Sequence, residues 1–595
     1  MMDLSLGTVD SKRGDAFVDD EMMFADMDTD TDTFTDMNDG NSNEGEIDER
    51  FHKKVFGGMT DFSRRSTLST TCYSALDGLS DEVMDDVLEN PSLMEKVLER
   101  ELYEMKPEER EAAINELHGV EFESKARLRE FSLGWNEKSK ECPENTARAL
   151  KEMQTVLDEL VPPGSIISQN NGNNNDRRRL TNRGYRRGLE LKSKYICTPE
   201  FRLKFLRADR FNPRKAAVRY CDCLDLLMKY FGEKIFRRQL YVSDLTALEH
   251  KFLRDGNIQV LPSRDRIGRR VFVFIGRHNA NTPEEYFAAF RLIIYLTWSV
   301  LAEDVTTQIK GVVVLIFPSF EETSLAKQSA KKLNQAINTL PLRFSAIHFC
   351  IPNVPIMNMV RSLCLVLIGA EGRRVCRVHT GSPVEVDYEL SSYGINVKDI
   401  PRTYTSMVKT KNWARFVKVR TVIDNYRKKL ETESGLDEDA DNGEICGVEC
   451  PEVNCILFGN KAMAWDHPGN IEFRDLIEEK EFERETRPKN FALKGDRYND
   501  YIIEEGRLRN FVYMEYDKVN LWYTEITDEN VLRHKITQLL TGIRKRRKAA
   551  RMAQKMRMEI PAENTPLRPT FDGSMYNANR CDFLCNFDNK NIMFS

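Results

Sequence analysis

Four short apolar runs, separated by longer helical patterns, constrain the fold of the central part of this chain most strongly. Each run has four or five residues and is rich in β-branched or aromatic side chains, which is typical of strands buried on both faces. The runs are Val271–Ile275, Val312–Ile316, Ile347–Ile351 and Val375–Val378. The helical patterns between them cover residues 284–301, 325–340 and 356–368. Strands that alternate with helices of this length predict an α/β fold whose sheet is covered on both faces.

Composition divides the remainder of the chain. Of its 595 residues, 41% are hydrophobic and 31% are charged, a balance that is typical of several globular domains joined by solvated segments. Acidic segments that are poor in apolar side chains are expected to be disordered, and helical spacing of apolar residues predicts helices. The expected divisions are a disordered acidic tail at 1–70, a helical region at 79–160, a helical lobe at 190–235, an α/β lobe at 236–410, a linker at 411–452, a separate small α+β domain at 453–545, and a basic helix extension with a disordered tail at 546–595.

Cysteine usage and hydropathy bear on the compartment. The 13 cysteines have no regular spacing, and the N-terminus has no apolar signal-peptide core, so we expect an intracellular protein with free thiols. The longest strongly apolar run is Leu292–Ala302, about half of the roughly 20 residues that a membrane-spanning helix needs. These features predict a cytoplasmic protein that meets membranes only at their surface, with the nucleus as an alternative location.

Motifs for catalysis, cofactors and metals give no positive indication. The sequence has no phosphate-binding glycine loop, dinucleotide fingerprint or nucleophile elbow, so we expect neither an enzyme nor a bound cofactor. Cys446, Cys450, Cys455 and His467 could be combined into a zinc site, but they lack paired C-x2-C spacing and we expect no metal there. His348 lies within an apolar run, where we expect a hydrogen-bonded core histidine rather than a catalytic base.

The helical pattern at 356–368 is unusual because it lacks a polar face in its second half. Leu363–Ile368 is apolar on every side. Such a helix is either buried all round in a core, or covers an apolar cavity and meets a membrane when it opens. The residues alone favour neither interpretation decisively.

Six segments in the central part resemble motifs of the CRAL-TRIO family of lipid-binding domains, and they occur in the family's order. They are Arg202–Phe211 with Lys215–Ala217, Asp265–Phe272, Gly311–Ile316, Leu340–Arg343, Ile347–Pro355, and Ile400–Pro401. The resemblance implies a helical N-lobe beside a mixed-sheet α/β lobe that contains an apolar pocket. It also implies that residues 356–368 form a gate helix over that pocket.

The function implied by the resemblance is non-catalytic binding or transfer of a lipid or another hydrophobic small molecule, with transient contact to a membrane surface. The residues expected to line the pocket are Phe272, Phe274, Phe317, Phe349, Ile351, Met357, Val360, Arg361, Cys364 and Leu367. Two positions depart from the phosphatidylinositol-transfer members of the family, which have a Glu where Leu342 stands and a Lys where Val366 stands. These departures favour a less polar lipid or an isoprenoid-like ligand, because a lost charge-assisted hydrogen bond costs roughly 1.5–3 kcal/mol.

Two other functions stay open. The first is an interaction scaffold whose pocket is filled by its own side chains, which the bulky Phe317 and Phe320 would favour. The second is a nuclear regulatory protein that touches nucleic acid through the basic run Arg544, Lys545, Arg546, Arg547 and Lys548. No aromatic residue is interleaved with that run, which argues against a base-stacking surface.

The segment before the basic run has motifs of its own. Ile456–Gly459, His467–Asn470 and Phe473 with Arg474 resemble the opening, H-P-G-N-x-x-F-R, of a domain of unknown function that recurs in algal proteins. This resemblance gives the segment a boundary and implies no activity.

Overall fold

The computed structural model describes nine segments of the chain. They are residues 92–120, 141–162, 182–276, 282–302, 304–318, 339–403, 407–433, 447–486 and 495–559. The tail expected at 1–70, the part of the segment expected at 546–595 that follows residue 559, and nearly all of the helix expected at 325–340 lie outside them. Within these segments, no helix combines the length and the apolar character that crossing a bilayer requires.

The central lobe is built on a five-stranded mixed sheet, which confirms the predicted α/β class. Its strands are β1 Ile258–Arg264, β2 Arg270–Ile275, β3 Val312–Phe317, β4 Phe344–Ile351 and β5 Cys376–Thr380. They lie in the order of the sequence, with β1 antiparallel to β2 and the other neighbours parallel. The four apolar runs of the sequence form β2 to β5. Strand β1 was not among them because its sequence is interrupted by polar residues and a proline.

Alternation along the strands gives the sheet two buried faces. Phe272 pairs with Val314 and packs in one core, whereas their neighbours Val271 and Val313 pack in another. We call the side that bears Phe272 the first face and the side that bears Val271 the second face. Side chains at alternate positions of a strand point to opposite faces, so the register assigns every strand residue to one of the two.

Helices that precede and cross over the sheet cover the first face. They are α3 Pro143–Leu160, α4 Arg183–Glu190, α5 Lys194–Cys197, α6 Pro199–Ala208, α7 Pro213–Phe231, α8 Ala247–Asp255, α9 Pro283–Leu301 and α10 Val305–Lys310. Helix α6 begins where Thr198 accepts a hydrogen bond from the Phe201 amide, and α7 begins where Asn212 accepts one from Lys215. Each has a proline at its start, which fits the first turn of a helix. Their apolar faces bury Phe205 and Tyr220 in the core that also contains Phe272 and Val314 of the sheet.

The second face is covered by two shorter helices. These are α2 Pro107–His118, which follows α1 Ser92–Glu104 after two residues, and α12 Pro383–Ser392. Leu117 of α2 and Leu390 of α12 join the core of this face. Helix α11, Pro355–Arg374, connects β4 to β5 and contains the whole of the expected gate helix.

The prediction that residues 411–452 form a linker is wrong over its first half. Residues Lys411–Glu433 form helix α13, which packs on β1. Trp413, Phe416 and Ile423 are buried along one side of it, and the Trp413 indole N–H donates to the Leu253 carbonyl at 2.5 Å. The high charge of this segment obscured an apolar stripe at helical spacing, because the charges occupy the opposite side of the same helix.

The C-terminal domain has a three-stranded mixed sheet flanked by helices. Its strands are β6 Cys455–Phe458, β7 Val512–Tyr516 and β8 Tyr523–Glu525, and its helices are α14 Lys461–Asp466, α15 Pro468–Thr486, α16 Asp496–Leu508 and α17 Glu529–Glu559. Strand β6 is parallel to β7, which is antiparallel to β8.

Buried ionic contacts join the C-terminal domain to the central sheet. Arg264 of β1 donates to the carbonyls of Cys450 and Pro451, at 3.0 and 3.1 Å. Arg270 of β2 forms an ion pair of 2.9 Å with Glu449, and the two side chains are 3% and 5% exposed. Residues expected to belong to an exposed linker are therefore part of an interface.

Candidate functional site

Helix α11 covers the first face of the sheet beside β4 and β5. The register places Cys376 of β5 opposite Ile347 of β4, which in turn pairs with Val314 on the first face. Burial raises the pKa of the Cys376 thiol to about 12, and the nearby Cys364 of α11 contributes to that shift. A right-handed crossover between the parallel strands β4 and β5 places α11 on the same face as α9, which connects β2 to β3.

Four of the predicted pocket residues lie together on the first face. Phe274 of β2 lies opposite Ile316 of β3, which lies opposite Phe349 of β4. Phe272 is two residues from Phe274 and Ile351 is two residues from Phe349, so both point to the same face as their neighbours. Phe272, Phe349 and Ile351 are buried, while Phe274 is half-buried. Together they form an apolar row that runs from the N-lobe helices toward α11.

Phe317, also predicted to line the pocket, lies on the opposite side of the sheet. It packs in the core of the second face, and the Arg402 guanidinium lies 4.2 Å from the centre of its ring. Phe317 is three residues from Val314, so alternation gives it the other orientation. Its assignment to the same surface as Phe272 is corrected.

The predicted residues of α11 differ in their surroundings. Met357 is fully buried, and Val360 and Cys364 are half-buried. Arg361, expected as a contact for a ligand headgroup, forms an ion pair with Glu95 of α1. The side chain of Leu367 lies outside the described part of the structure.

The Leu340–Arg343 motif performs a structural task. Leu342 is buried in the core shared with the N-lobe helices. The Arg343 guanidinium donates to the Lys310 carbonyl at 2.9 Å and is paired with Glu116 of α2. Burial lowers the pKa of Arg343 to about 10, so the guanidinium still carries its charge at neutral pH.

A cleft of about 230 Å³ lies away from the predicted pocket. It is between α8, α13 and a short 3-10 turn at Val242–Asp244. The Asp424 carboxylate accepts from the Val242 amide at 2.6 Å, and the Lys428 ammonium donates to Ser243. Its polar lining distinguishes it from the apolar row under α11.

A histidine chain on the second face was not predicted as a unit. The His348 Nδ1 and His379 Nε2 atoms lie 2.9 Å apart, and His379 Nδ1 lies 2.5 Å from the Glu389 carboxylate. If Glu389 accepts the Nδ1 proton of neutral His379, then His379 Nε2 accepts from His348, and His348 Nε2 carries a lone pair. That buried Nε2 atom has no hydrogen-bond partner among the described residues.

The surroundings of the histidine chain disfavour its protonated form. Burial lowers the pKa of His348 well below its usual range, with His379 and Arg269 adding to the effect. Burial also lowers the pKa of His379, although the hydrogen bond to Glu389 opposes this. His348 was expected to be a satisfied core histidine, and the structure satisfies only one of its two ring nitrogens.

The candidate zinc ligands do not assemble into a metal site in the described part of the chain. Cys446 lies outside it, and no group of three or more His, Cys, Asp or Glu suited to a metal occurs within it. The Cys450 thiol donates to the Pro262 carbonyl at 3.3 Å. Burial lowers the pKa of His467 to about 4, so this imidazole is neutral at physiological pH.

The basic run lies on helix α17, where it is divided between two environments. Arg544 forms a 2.7 Å ion pair with the buried Glu481, and Arg547 and Arg551 pair with Glu485 at 3.7 and 2.6 Å. The side of α17 that bears these three arginines therefore packs on α15, whose carboxylates partly neutralise its charge.

The other side of the basic run is exposed at Lys545, Arg546 and Lys548. Here the fold supplies an aromatic neighbour that the sequence did not indicate. Arg546 lies 5.9 Å from the centre of the Trp465 ring, and Arg474 lies 4.8 Å from it.

Comparison with known proteins finds no matching family model and no matching curated protein. Any assignment of function therefore depends on the geometry of the chain itself.

Proposed function

We propose that the central lobe, residues 190–410, binds a lipid or an isoprenoid-like molecule between the first face of the sheet and helix α11, and carries it without altering it. One observation carries the proposal. An apolar row of four side chains leads under a helix whose sequence is apolar on all sides over Leu363–Ile368. Helix α1 packs on one side of α11, and the proposed ligand occupies the apolar side of α11 that faces β4 and β5.

Burial of apolar surface alone is enough to hold such a ligand. Each methylene moved from water into an apolar site contributes roughly 0.8 kcal/mol, so a chain of a dozen carbons needs no catalytic or ionic group. Leu342 is part of a core, and Arg361 and Arg343 are engaged with Glu95 and Glu116. This arrangement favours a ligand with a small or weakly polar end over a phosphoinositide. Exchange would take place at a membrane surface, where α11 can turn its apolar side toward lipid.

The experiment is native mass spectrometry and lipid extraction of the full chain and of an Ile351→Trp variant. An indole added to a ligand cavity is tolerated and excludes the ligand, whereas in a filled core it costs roughly 1–3 kcal/mol of stability. We expect a co-purified hydrophobic molecule in the wild type. In the variant we expect at least a tenfold lower occupancy and an unfolding temperature equal to that of the wild type after its ligand has been extracted.

The matched control is Val384→Trp, because Val384 is 62% exposed on α12. It should leave both the ligand and the unfolding temperature unchanged. An empty wild type together with a strongly destabilised Ile351→Trp would mean that the chain fills its own pocket, which would leave the scaffold as the better hypothesis.

A further inference from the structure

Helix α1 lies directly on helix α11. Leu93, Met94 and Val97 of α1 are only 3%, 2% and 4% exposed. The other side of α1 faces solvent, with Leu102 and Tyr103 being 53% and 87% exposed. Helix α1 is thus amphipathic, and α11 is the helix on which it packs.

Two ion pairs fasten α1 to α11. The Arg373 guanidinium binds both oxygens of Glu101, with 2.8 Å between Nε and Oε2 and 2.5 Å between Nη2 and Oε1. These side chains are 8% and 14% exposed, so the pair is shielded from solvent. Arg361 pairs with Glu95, where the side chains are 27% and 53% exposed. Because the two arginines are twelve residues apart, the pairs hold α11 near its beginning and at its end.

The other half of the hairpin is anchored to the sheet. Helix α2 places Leu117 in the core of the second face and its Glu116 against Arg343. The ring of His118, at its last position, stacks on Tyr393 with 4.3 Å between the ring centres. The α1–α2 hairpin therefore joins the fixed sheet to the helix over the proposed ligand site.

The turn between the two helices is itself braced. One nitrogen of the Arg110 guanidinium donates to the Leu102 carbonyl at 2.7 Å and to the Met105 carbonyl at 3.2 Å. Helix α1 thus cannot swing away freely while α2 stays in place. Separation from α11 requires its two ion pairs to break.

We propose that α1 is an internal lock that keeps α11 closed and slows exchange of the bound ligand. The role in exchange rests on the proposed function, while the contact itself does not. An anionic surface would favour release, because its charges compete with Glu95 for Arg361, the more exposed of the two arginines.

The test is hydrogen exchange of residues 355–374 in the full chain, comparing the wild type with Glu101→Arg. This substitution puts two positive charges together, and we expect α11 amides to exchange at least tenfold faster. The double variant Glu101→Arg with Arg373→Glu reverses the pair and should restore exchange to within about threefold of the wild type. The control is Glu104→Arg, because Glu104 pairs with Arg100 inside α1. Glu104→Arg should leave the hydrogen exchange of the α11 amides unchanged.

A second readout separates the lock from the ligand proposal. A fluorescent fatty acid is loaded into each protein, and its transfer to vesicles of phosphatidylcholine with phosphatidylserine is followed. We expect faster transfer from Glu101→Arg and recovery in the double variant. Unchanged α11 exchange in Glu101→Arg overturns the lock, and so does a looser α11 that releases ligand no faster. If no variant takes up the fatty acid while Glu101→Arg still loosens α11, the ligand proposal falls and the contact stands.

Discussion

Single residues in this protein owe their behaviour to burial more than to their neighbours in sequence. His467 follows a short helix and lies beside Cys455, where desolvation lowers its pKa to about 4. His348 and His379 are almost completely buried and are lowered in the same direction. These imidazoles are neutral in the folded protein at neutral pH, whereas in the unfolded chain they take up protons near their usual pKa.

The stability that these histidines contribute should therefore fall in acid. At these sites the unfolded chain binds more protons than the folded protein below pH 6.5, so their contribution to the free energy of unfolding is constant above that pH and decreases below it. For His467 alone, the difference between 6.5 and about 4 corresponds to a loss of about 3 kcal/mol by pH 4. We expect His467→Gln to lose less stability than the wild type between pH 6.5 and pH 4 in urea denaturation. If the free energy of unfolding fell equally with pH in the two proteins, the lowered pKa of His467 would be contradicted.

The orientation of a strand residue is the detail of the candidate site that the sequence could not supply. The apolar runs are continuous, so they identify buried strands without saying which residues share a face. Phe272, Phe349 and Ile351 share the first face, whereas Phe317 lies on the second, and this difference depends on the register between neighbouring strands. The ion pair of Arg361 was also beyond the sequence, since its partner is 266 positions away.

Secondary-structure elements were predicted well where apolar and polar residues alternate in clear blocks. The runs that became β2 to β5 and the helices now numbered α9 and α11 have such blocks. Helix α13 does not, because Lys and Arg side chains fill the positions between its buried residues. Strand β1 was missed because Pro262 and Ser263 interrupt it. Local composition thus fails to predict a helix or strand that is stabilised mainly by its tertiary contacts.

Helix α13 should be a large source of stability for the central lobe. Trp413 is 2% exposed, stacks on Phe416 with 4.8 Å between ring centres, and bonds to the Leu253 carbonyl. We expect Trp413→Ala to lower the free energy of unfolding by about 3–5 kcal/mol. Tyr426→Ala, on the exposed side of the same helix, should change it by less than about 0.5 kcal/mol. Guanidinium denaturation of the two variants measures the difference, and similar values would show that α13 does not pack as described.

At the scale of the whole molecule, the central lobe and the C-terminal domain share a buried charge network. Arg264, Arg270 and Arg420 meet Asp304 and Glu449 in the interior. All five side chains are no more than 8% exposed. Burial opposes the charge on Arg270, but the nearby Glu449 and Asp304 help to keep its pKa above the usual value. The composition of residues 411–452 does not predict this network, because the charged residues that form it come from distant parts of the chain.

Loss of one partner from this network should be costly. Glu449→Ala removes the carboxylate that pairs with Arg270 and leaves a buried charge, and we expect a loss of about 3–5 kcal/mol. Glu472→Ala, at an exposed position of α15, serves as the comparison and should change stability by less than about 0.5 kcal/mol. Thermal and chemical unfolding of the full chain give both values. A mild effect of Glu449→Ala would mean that water reaches Arg270.

The contacts of Arg264 and Arg270 also bear on whether the two domains evolve together. The first two strands of the central sheet hold cations that are contacted from more than 170 residues downstream, Arg264 by the Cys450 carbonyl and Arg270 by the Glu449 carboxylate. Had the C-terminal domain been exchanged for an unrelated one, Arg270 would have lost its buried partner Glu449, and Arg264 would have kept Asp304 but lost two carbonyl acceptors. We therefore expect descendants of this chain to keep the two parts together, and a substitution at Glu449 to be accompanied by one at Arg270.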